Sequence, residues 1–352
     1  MHKVTLMPGD GIGPEVTRAA RAVVDASGAA VEWEVVAVGA QGENEHGTPL
    51  PEAAFESIAR TKIAMKGPTA TPFGGNYRIH RKRVNAAGVS ETRSYTGIAI
   101  ALRRELDLYV NVRPVKNYPG VRTRFENVDI VIFRENSEDL YLGEERMVDD
   151  DTAEAIKRIT RGASARVARF GADYMKRVGR KRVTIAHKSN VLKMTDGLFL
   201  KTAQDTLAAY PDLVVDSRVI DALCMELVLK PETFDCLLLT NLYGDIVSDL
   251  VAGLVGGLGL APGANIGDNC AMFEAVHGTA PDIAGQDLAN PMSMILSALM
   301  MLRYMGEQAA AERVDRALAA VLGEGKHVTR DLGGTAGTQR MTEAIVGKLG
   351  KR

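Results

Sequence analysis

The chain has 352 residues, of which 46% are hydrophobic and 25% charged, a composition that indicates a globular protein of about two domains. Its 43 Lys and Arg residues balance 44 Asp and Glu residues, which argues against a general nucleic-acid or anionic-membrane binder. Cys224, Cys236 and Cys270 fit neither a disulfide framework nor a zinc motif, so we expect reduced thiols in a cytoplasmic protein. The sequence predicts neither a signal peptide nor a membrane-spanning helix.

Apolar strands alternate with amphipathic helices along the chain, which predicts a layered α/β architecture. The strands are predicted at Lys3–Leu6, Val31–Val38, Ile63–Lys66, the run LDLYVNVRPV, Val128–Phe133, Arg182–His187, Leu213–Val219 and Phe234–Thr240. The helices are predicted from Pro14 onward, at Glu52–Arg60, Ile98–Leu106, Ala153–Val178, Leu198–Ala209, Leu223–Leu229, from NLYGDIVSDL, and at Ala309–Gly323 and Thr342–Leu349. No Pro- or Ser-rich linker separates the halves, so we expect two interleaved domains.

A glycine-rich turn, Gly9-Asp10-Gly11-Ile12-Gly13, joins the first predicted strand to the first helix. Such a turn can hold a phosphate at a helix N-terminus. Its third glycine comes one residue too early for the dinucleotide-binding fingerprint. The alternatives are a dinucleotide site and a structural or site-lining turn, and the spacing favours the second.

Two acidic residues on one helix could bind a metal ion. Asp245 and Asp249 are four residues apart in NLYGDIVSD, which places both carboxylates on one face of the predicted helix. Hard divalent cations such as Mg²⁺ and Mn²⁺ prefer oxygen ligands of this kind. The alternative is one acid that complements the helix dipole and one solvated acid.

Three arginines occur in short motifs near predicted element ends: Arg103 in ALRREL, Arg113 in NVRPV and Arg134 in FRENSEDLY. The planar guanidinium suits carboxylate recognition, although each arginine alone is also compatible with a surface salt bridge. Tyr141 and Lys188 are candidate acid–base groups, or else an interfacial tyrosine and a solvated lysine. Together with the acidic pair, the arginines indicate a polycarboxylate held against a metal.

These residues lie in four of seven motifs whose identity and order resemble the β-decarboxylating dehydrogenases, the isocitrate and 3-isopropylmalate dehydrogenase family. The motifs are KGPTATP, ALRRELDLYVNVRPV, FRENSEDLY, HKSNVLK, NLYGDIVSDL, GGLGLAPGANIGD and HGTAPDIAG. The resemblance implies a two-domain, non-Rossmann α/β fold with its active site in the interdomain cleft. It divides the chain into a cofactor-binding domain (1–107 plus 256–352) and a smaller domain (108–255) with the metal site and dimer interface.

The resemblance also assigns roles to the candidate residues. Arg103, Arg113 and Arg134 are similar to the family's substrate-binding arginines. Tyr141 and Lys188 resemble its catalytic acid–base pair, with Lys188 reaching the active site of the partner subunit. The implied protein is a homodimer with shared sites, or a larger assembly, that acts on a small polycarboxylate without nucleic-acid or membrane partners.

The implied metal and cofactor sites complete this assignment. Asp245 and Asp249 resemble the ligands of Mg²⁺ or Mn²⁺, joined by Asp221 from the other subunit. The implied cofactor-binding residues are Glu274, His277, Gly278, Thr279, Ala280, Asp282, Ile283 and Asn290. The pair Asp282-Ile283 favours NAD, because an acidic residue can accept hydrogen bonds from the ribose hydroxyls and repel a 2′-phosphate.

The resemblance implies oxidative decarboxylation of a malate-type 2-hydroxy acid, with isocitrate as the first candidate. Homoisocitrate, 3-isopropylmalate, and tartrate or D-malate remain alternatives, because Ala99 and Ile100 occupy positions where isopropylmalate enzymes place apolar contacts. The basic stretch 76–95 offers Arg83, Arg93 or Ser94 as partners for a γ-carboxylate. A non-catalytic regulatory subunit is the rival of another class, and the intact acid–base and metal positions argue against it.

Overall fold

A computed structural model describes residues 1–71, 78–84 and 90–350. The strands are β1 (His2–Met7), β2 (Val31–Val35), β3 (Ile63–Lys66), β4 (Ile79–Val84), β5 (Ser90–Tyr95), β6 (Val110–Lys116), β7 (Asp129–Glu135), β8 (Glu145–Asp149), β9 (Thr152–Ala155), β10 (Arg182–His187), β11 (Val214–Val219), β12 (Cys236–Leu239), β13 (Pro262–Ile266) and β14 (Ala271–Ala275). The α-helices are α1 (Gly13–Ala26), α2 (Ala40–His46), α3 (Glu52–Thr61), α4 (Ile98–Glu105), α5 (Arg161–Val178), α6 (Thr195–Leu207), α7 (Ile220–Leu229), α8 (Asn241–Leu254), α9 (Met292–Tyr304), α10 (Gln308–Glu324) and α11 (Thr338–Lys348).

The chain forms two compact units, one of residues 1–106 with 269–352 and the other of residues 107–268. Residues 256–268, which the sequence analysis assigns to the cofactor-binding domain, pack in the second unit because β13 pairs with β6. None of the helices in the described part of the chain combines the length and apolarity that crossing a bilayer requires.

The first unit contains four parallel strands in the order β2-β1-β3-β14. Pro14 lies in the first turn of α1, where its missing N–H costs no helical hydrogen bond. Helix α1 packs against α9 and α11, and α3 packs against β1. The apolar faces of these helices bury the central strands. Because the strands are parallel, the loops that follow β1, β3 and β14 leave the sheet at the same edge.

The second unit contains a mixed sheet in the order β11-β10-β12-β7-β6-β13. The first four of these strands are parallel, whereas β6 is antiparallel to both β7 and β13. Helix α5 packs on β7 and β12, α6 on β10 and β11, and α8 on β7. This arrangement brings β6, β7 and α8, which carry several predicted site residues, into direct contact.

The expected α/β class is confirmed, and most predicted elements are present with shifted ends. The predicted helix Ala153–Val178 is wrong in its first part, because residues 152–155 form strand β9, which pairs with β8. Helix α5 begins only at Arg161, after Thr160 accepts a hydrogen bond from Ala163 N as its N-cap. The hairpin β4–β5 lies within the stretch that the sequence analysis treats only as polar and basic.

Candidate active site

Five predicted site residues form one cluster in the second unit. Arg134 on β7 donates a hydrogen bond to Asp245, and Arg113 on β6 lies 3.4 Å from both Asp245 and Asp249. Tyr141 donates its hydroxyl proton to the other oxygen of Asp245, and the Arg134 guanidinium lies 4.8 Å from the centre of its ring. Both arginines are buried, whereas the two carboxylates remain partly exposed. The cluster therefore exposes carboxylate oxygens to solvent next to two buried arginine side chains.

Strand register explains why these side chains meet. Asn111 is opposite Arg134 in the β6–β7 pair, and Arg113 follows Asn111 by two residues, so all three project from one face of the sheet. Arg113 Nε donates to Asn111 Oδ1 at 2.7 Å, and Arg134 Nε and Nη2 donate to Asn241 Oδ1 at 3.0 and 2.8 Å. Asn241 lies one turn before Asp245 on α8. The sequence analysis missed both asparagines, although each lies within two positions or one turn of a predicted site residue.

The close approach of β7 to α8 depends on Gly244. A Cβ atom at this position would lie 2.5 Å from Cγ and 2.7 Å from Cβ of Arg134. Because these atoms are near the backbone of Arg134, the side chain cannot swing aside without leaving Asp245. Glycine at this position leaves room for the Arg134 side chain against the helix.

The carboxylate oxygens of Asp245 and Asp249 are ligands that hard divalent cations prefer. Burial raises the pKa of Asp249, the charge of Arg113 opposes this shift, and the neighbouring Asp245 adds to it. A divalent cation beside the pair would favour both carboxylates in their charged form. Within residues 1–71, 78–84 and 90–350, no three His, Cys, Asp or Glu side chains gather into a metal-binding group. One chain therefore offers a pair of carboxylates, and further ligands would come from water, substrate or another subunit.

Lys188 and Asp221 form a separate pair in the second unit. Lys188 directly follows β10, and Asp221 lies in the first turn of α7, just after β11. Strands β10 and β11 are parallel neighbours, so their carboxyl ends lie side by side. Lys188 Nζ donates to Asp221, and this hydrogen bond lowers the pKa of the carboxyl group. The Asp221 side chain is 68% exposed. The pair is thus available to a group outside its own unit.

Arg103 is anchored in the first unit by a buried carboxylate. Arg103 Nη2 lies 2.8 Å from Glu274 Oε1, and Lys66 Nζ lies 2.9 Å from Glu274 Oε2. Lys66 is opposite Glu274 in the β3–β14 register, and both side chains are almost fully buried. Burial alone would raise the pKa of Glu274, but the charges of Lys66 and Arg103 hold it well below its ordinary value. Sequence reasoning missed Lys66, whose signal is a lysine at the end of the buried strand IAMK.

The residues proposed to contact the γ-group of the substrate lie on α4 and in the basic stretch before it. Ala99 and Ile100 precede Arg103 by about one turn on α4, and both are partly exposed. Arg93 already pairs with Glu91 at 2.8 Å, and Ser94 shares a hydrogen bond with His80 Nδ1 at 2.8 Å. Part of the basic stretch, with the Arg83 side chain, lies outside the described residues.

The predicted cofactor loop follows β14 in the first unit. His277 Nδ1 donates to Gly278 O at 3.0 Å, and its buried Nε2 has no hydrogen-bond partner among the described residues. Burial lowers the pKa of His277, so the neutral ring leaves Nε2 as an acceptor. Ile283 N donates to Ala280 O in a turn that leaves Asp282 exposed.

Asn290 has a structural contact in addition to its predicted role. Its Nδ2 donates to Asp331 Oδ2 at 2.8 Å, and its Oδ1 accepts from Met292 N at 2.9 Å at the start of α9. Asn290 therefore fixes the beginning of this helix after the cofactor loop.

The glycine-rich turn packs against the same loop. Ile12 N donates to Thr279 O at 2.9 Å, and a Cβ atom at Gly11, which has φ +58°, would collide with Thr279 O. The Asp10 carboxylate accepts hydrogen bonds from Ala40 N and Ala70 N at 2.7 and 2.8 Å. These contacts describe a tight turn beside the predicted cofactor loop, the interpretation that the glycine spacing favours.

Comparison with known proteins gives consistent matches along the chain. The family model for isocitrate/isopropylmalate dehydrogenase matches residues 3–345. The mitochondrial isocitrate dehydrogenase (NAD) catalytic subunit 5 of Arabidopsis thaliana is 44% identical over 346 residues, covering 98% of this chain and 88% of that protein. A mitochondrial regulatory subunit of isocitrate dehydrogenase (NAD) from Dictyostelium discoideum is 43% identical over 350 residues, covering 99% of this chain and 92% of that protein.

A solved structure gives the same relationship. The crystal structure of isocitrate dehydrogenase from Methylococcus capsulatus matches with a TM-score of 0.91 and 45% identity, covering 99% of each chain. The resemblance that the ordered motifs predict is thereby confirmed. The chain belongs to the isocitrate/isopropylmalate dehydrogenase family.

Proposed function

We propose that the chain is an NAD-dependent, metal-dependent dehydrogenase that converts isocitrate to 2-oxoglutarate and CO₂. The observation that carries the proposal is the Arg113–Arg134–Tyr141–Asp245–Asp249 cluster in a chain of this family. The cluster combines carboxylate-binding cations, an acid–base hydroxyl and oxygen ligands. The names of the Arabidopsis and Methylococcus relatives support isocitrate as the substrate.

In this proposal the arginines bind and orient the acid. Arg113 and Arg134 are buried beside the aspartates, and their planar guanidinium groups suit substrate carboxylates. Arg103, clamped by Glu274, would hold a further carboxylate. Fixed guanidinium groups would hold the substrate carboxylates in one orientation, which favours hydride transfer from C2.

The acid–base steps are assigned to Lys188 and Tyr141. Lys188 would take the proton of the 2-hydroxyl group as the hydride leaves C2 for NAD⁺. Loss of CO₂ breaks the bond from C3, and Tyr141 would then return a proton to C3. Asp245 and Asp249, with the partner subunit's Asp221, would hold Mg²⁺ or Mn²⁺, which as a Lewis acid stabilises negative charge on the substrate oxygens.

NAD is assigned to the loop after β14. The adenosine would be surrounded by His277, Gly278, Thr279, Ala280 and Ile283. Glu274, near the end of β14, and Asn290, just before α9, flank this loop. Exposed Asp282 would accept hydrogen bonds from the ribose and disfavour NADP.

A different acid is favoured by one observation. The apolar pair Ala99 and Ile100 lies on the same helix as Arg103, within about one turn of it. An apolar γ-group, as in 3-isopropylmalate, would find suitable contacts there. Homoisocitrate, tartrate and D-malate remain the other candidates.

The regulatory-subunit alternative is supported by the name of the Dictyostelium relative. We favour a catalytic chain, because Tyr141, Lys188, Asp245 and Asp249 are all present and hydrogen-bonded or paired in the arrangement described above.

A homodimer is proposed from an exposed apolar face on two neighbouring helices. Met225, Val228 and Leu229 on α7 are 41–68% exposed, and Ile246 on α8 is 56% exposed. The occupant we propose is a second copy, because the first turn of α7 also contains Asp221, which a partner's active site would use. Light scattering should give a mass of at least two chains, and Leu229→Glu should shift it towards one chain.

The cytoplasmic location is a proposal as well. Cys224, Cys236 and Cys270 form no disulfide with one another in the described residues, which suits a reducing compartment. The relatives are named as mitochondrial. Cell fractionation with an antibody against the chain tests the location directly.

The function is tested by measuring reduction of NAD⁺, and separately NADP⁺, with Mg²⁺ or Mn²⁺. Isocitrate, homoisocitrate, 3-isopropylmalate, D-malate and tartrate are offered in parallel. We expect the highest kcat/KM with isocitrate and NAD⁺, and no turnover after chelation of the metal. A higher kcat/KM for another acid would replace isocitrate, and absence of turnover with every acid would favour the regulatory alternative.

A further inference from the structure

Lys157 lies between two fully buried carboxylates in the second unit. Its Nζ is 2.6 Å from Asp196 Oδ1 and 3.9 Å from Asp139 Oδ1, and it lies 4.3 Å from the centre of the Tyr243 ring. The side chain of Lys157 is 12% exposed, and both carboxylates are completely buried. Removing the cation would therefore leave two buried anions without this compensation.

Each carboxylate also holds the backbone of a segment with a proposed catalytic residue. Asp196 Oδ2 accepts a hydrogen bond from Lys188 N at 2.6 Å. Asp139 Oδ2 accepts one from Leu242 N at 3.0 Å, at the start of the helix that contains the aspartate pair. Asp139 itself begins the short 3₁₀ helix that contains Tyr141. Lys157 thus joins the Lys188 loop, the Tyr141 turn and the first turn of α8.

The Tyr141 turn needs this support because its first residue has an unfavourable backbone conformation. Asp139 has φ +73°, a region that residues other than glycine seldom occupy. Asp139 N donates to the carbonyl oxygen of Arg158, the residue after Lys157, at 2.9 Å. Backbone and side-chain contacts therefore both connect this turn to the Lys157 segment.

We propose that Lys157 is a positioning residue: by pairing with Asp196 and Asp139, it fixes the Lys188 loop and the Tyr141 turn relative to α8. This inference rests on the proposed function for its kinetic consequence only. Lys157 is assigned no proton-transfer step, because its ammonium group is enclosed by the two carboxylates and the Tyr243 ring. Nothing in the sequence pattern marks it, since its partners lie 18 and 39 residues away.

The first test compares Lys157→Met with Arg158→Met in the full-length protein. Arg158 is the neighbouring cation, and its pair with Glu144 is largely exposed, so its removal controls for the loss of one positive charge. For Lys157→Met we expect kcat to fall by about 10- to 100-fold, because small displacements of catalytic groups are costly. The KM values should change by less than about threefold, because the substrate arginines have other supports. Arg158→Met should retain wild-type constants.

Hydrogen–deuterium exchange supplies a readout that does not require turnover. In Lys157→Met, the amides of Lys188 and Leu242 should exchange faster than in the wild type, whereas in Arg158→Met they should not. A folded Lys157→Met variant with unchanged protection of both amides and kcat within about twofold of wild type would overturn the proposal. If Lys157→Met fails to fold, Lys157→Gln is judged by the same criteria. If the wild type oxidises none of the acids, the proposed function fails, and the exchange result still decides the role of Lys157.

Discussion

Gly244 on α8 lies directly against the side chain of Arg134, the arginine that donates to Asp245. Alanine at this position would favour the helix by about 1 kcal/mol but would force Arg134 away from its partners. We therefore expect Gly244→Ala to lower kcat/KM for the acid substrate by about tenfold or more, because a guanidinium displaced by an ångström binds its carboxylate poorly. Steady-state kinetics measure this effect.

The same helix supplies the control. Apart from its chain neighbours and the backbone of its own helix, no atom of the described residues lies within 4 Å of a Cβ built on Gly253. Gly253→Ala should keep wild-type kinetic constants and raise the free energy of unfolding by about 0.5–1 kcal/mol. Unchanged kinetics in Gly244→Ala would show that the close packing on Arg134 is unimportant for function.

Glu274→Gln tests the buried charge group of the first unit. The change leaves Lys66 and Arg103 without their shared anion, and we expect the free energy of unfolding to fall by about 3–5 kcal/mol. Urea unfolding followed by the fluorescence of Trp33, the single tryptophan, reports on this unit. Glu343→Gln, which removes a half-exposed partner of Arg340, should change it by less than about 1 kcal/mol.

The stabilisation that Glu274 contributes to the folded protein should decrease at acidic pH. The pKa of Glu274 in the folded protein is below its ordinary value of 4.5, so its stabilising contribution is present above that pH and is lost as the pH falls further. The difference between the wild type and Glu274→Gln should therefore shrink in acid. A difference that grows below pH 4.5 would contradict the charged state assigned to Glu274.

Glu138 should have the opposite pH dependence. Burial raises its pKa to about 7, although its Oε1 accepts a hydrogen bond from Thr160 N at 2.8 Å. Between pH 4.5 and about 7, Glu138 binds its proton more tightly in the folded state than in the unfolded state. The contribution of Glu138 to the free energy of unfolding therefore falls as the pH rises. The melting temperature of Glu138→Gln relative to wild type should increase from about pH 5 to about pH 8. A constant difference measured by calorimetry would show that Glu138 is not protonated in this window.

Shared active sites are tested by mixing two inactive variants. If Lys188 serves the partner's site, a hybrid of Tyr141→Phe and Lys188→Met subunits has one site with both defects and one intact site. Random reassociation should then restore roughly a quarter of wild-type activity. If Lys188 serves its own site, both sites of the hybrid stay defective and activity does not return.

The sequence predicts the strand–helix order well because apolar periodicity is a local property. Strand β10 has the predicted bounds Arg182–His187. The pattern fails at β8 and β9, whose residues are exposed throughout and so lack an apolar face to mark them. It also extends helix α5 too far back, because Thr160 caps the helix by a contact that periodicity does not report.

The site is predictable where a motif contains the chemistry and less so where distant residues cooperate. Asp245 and Asp249 follow from helical spacing, and their common neighbour Arg113 follows from its motif. Lys66 and Asn241 contribute through partners more than 100 positions away, Glu274 and Arg134. The β3–β14 register brings the first pair together, and the packing of α8 on β7 brings the second pair together.

The division of the chain has a consequence for its synthesis on the ribosome. Residues 107–268 are continuous and can fold as soon as they emerge. The first unit cannot complete its sheet until β14 has been made. The edge of β3 that pairs with β14 therefore stays unpaired while residues 67–270 are synthesised. We expect a chain of residues 1–270 to contain a folded second unit and an unfinished first unit.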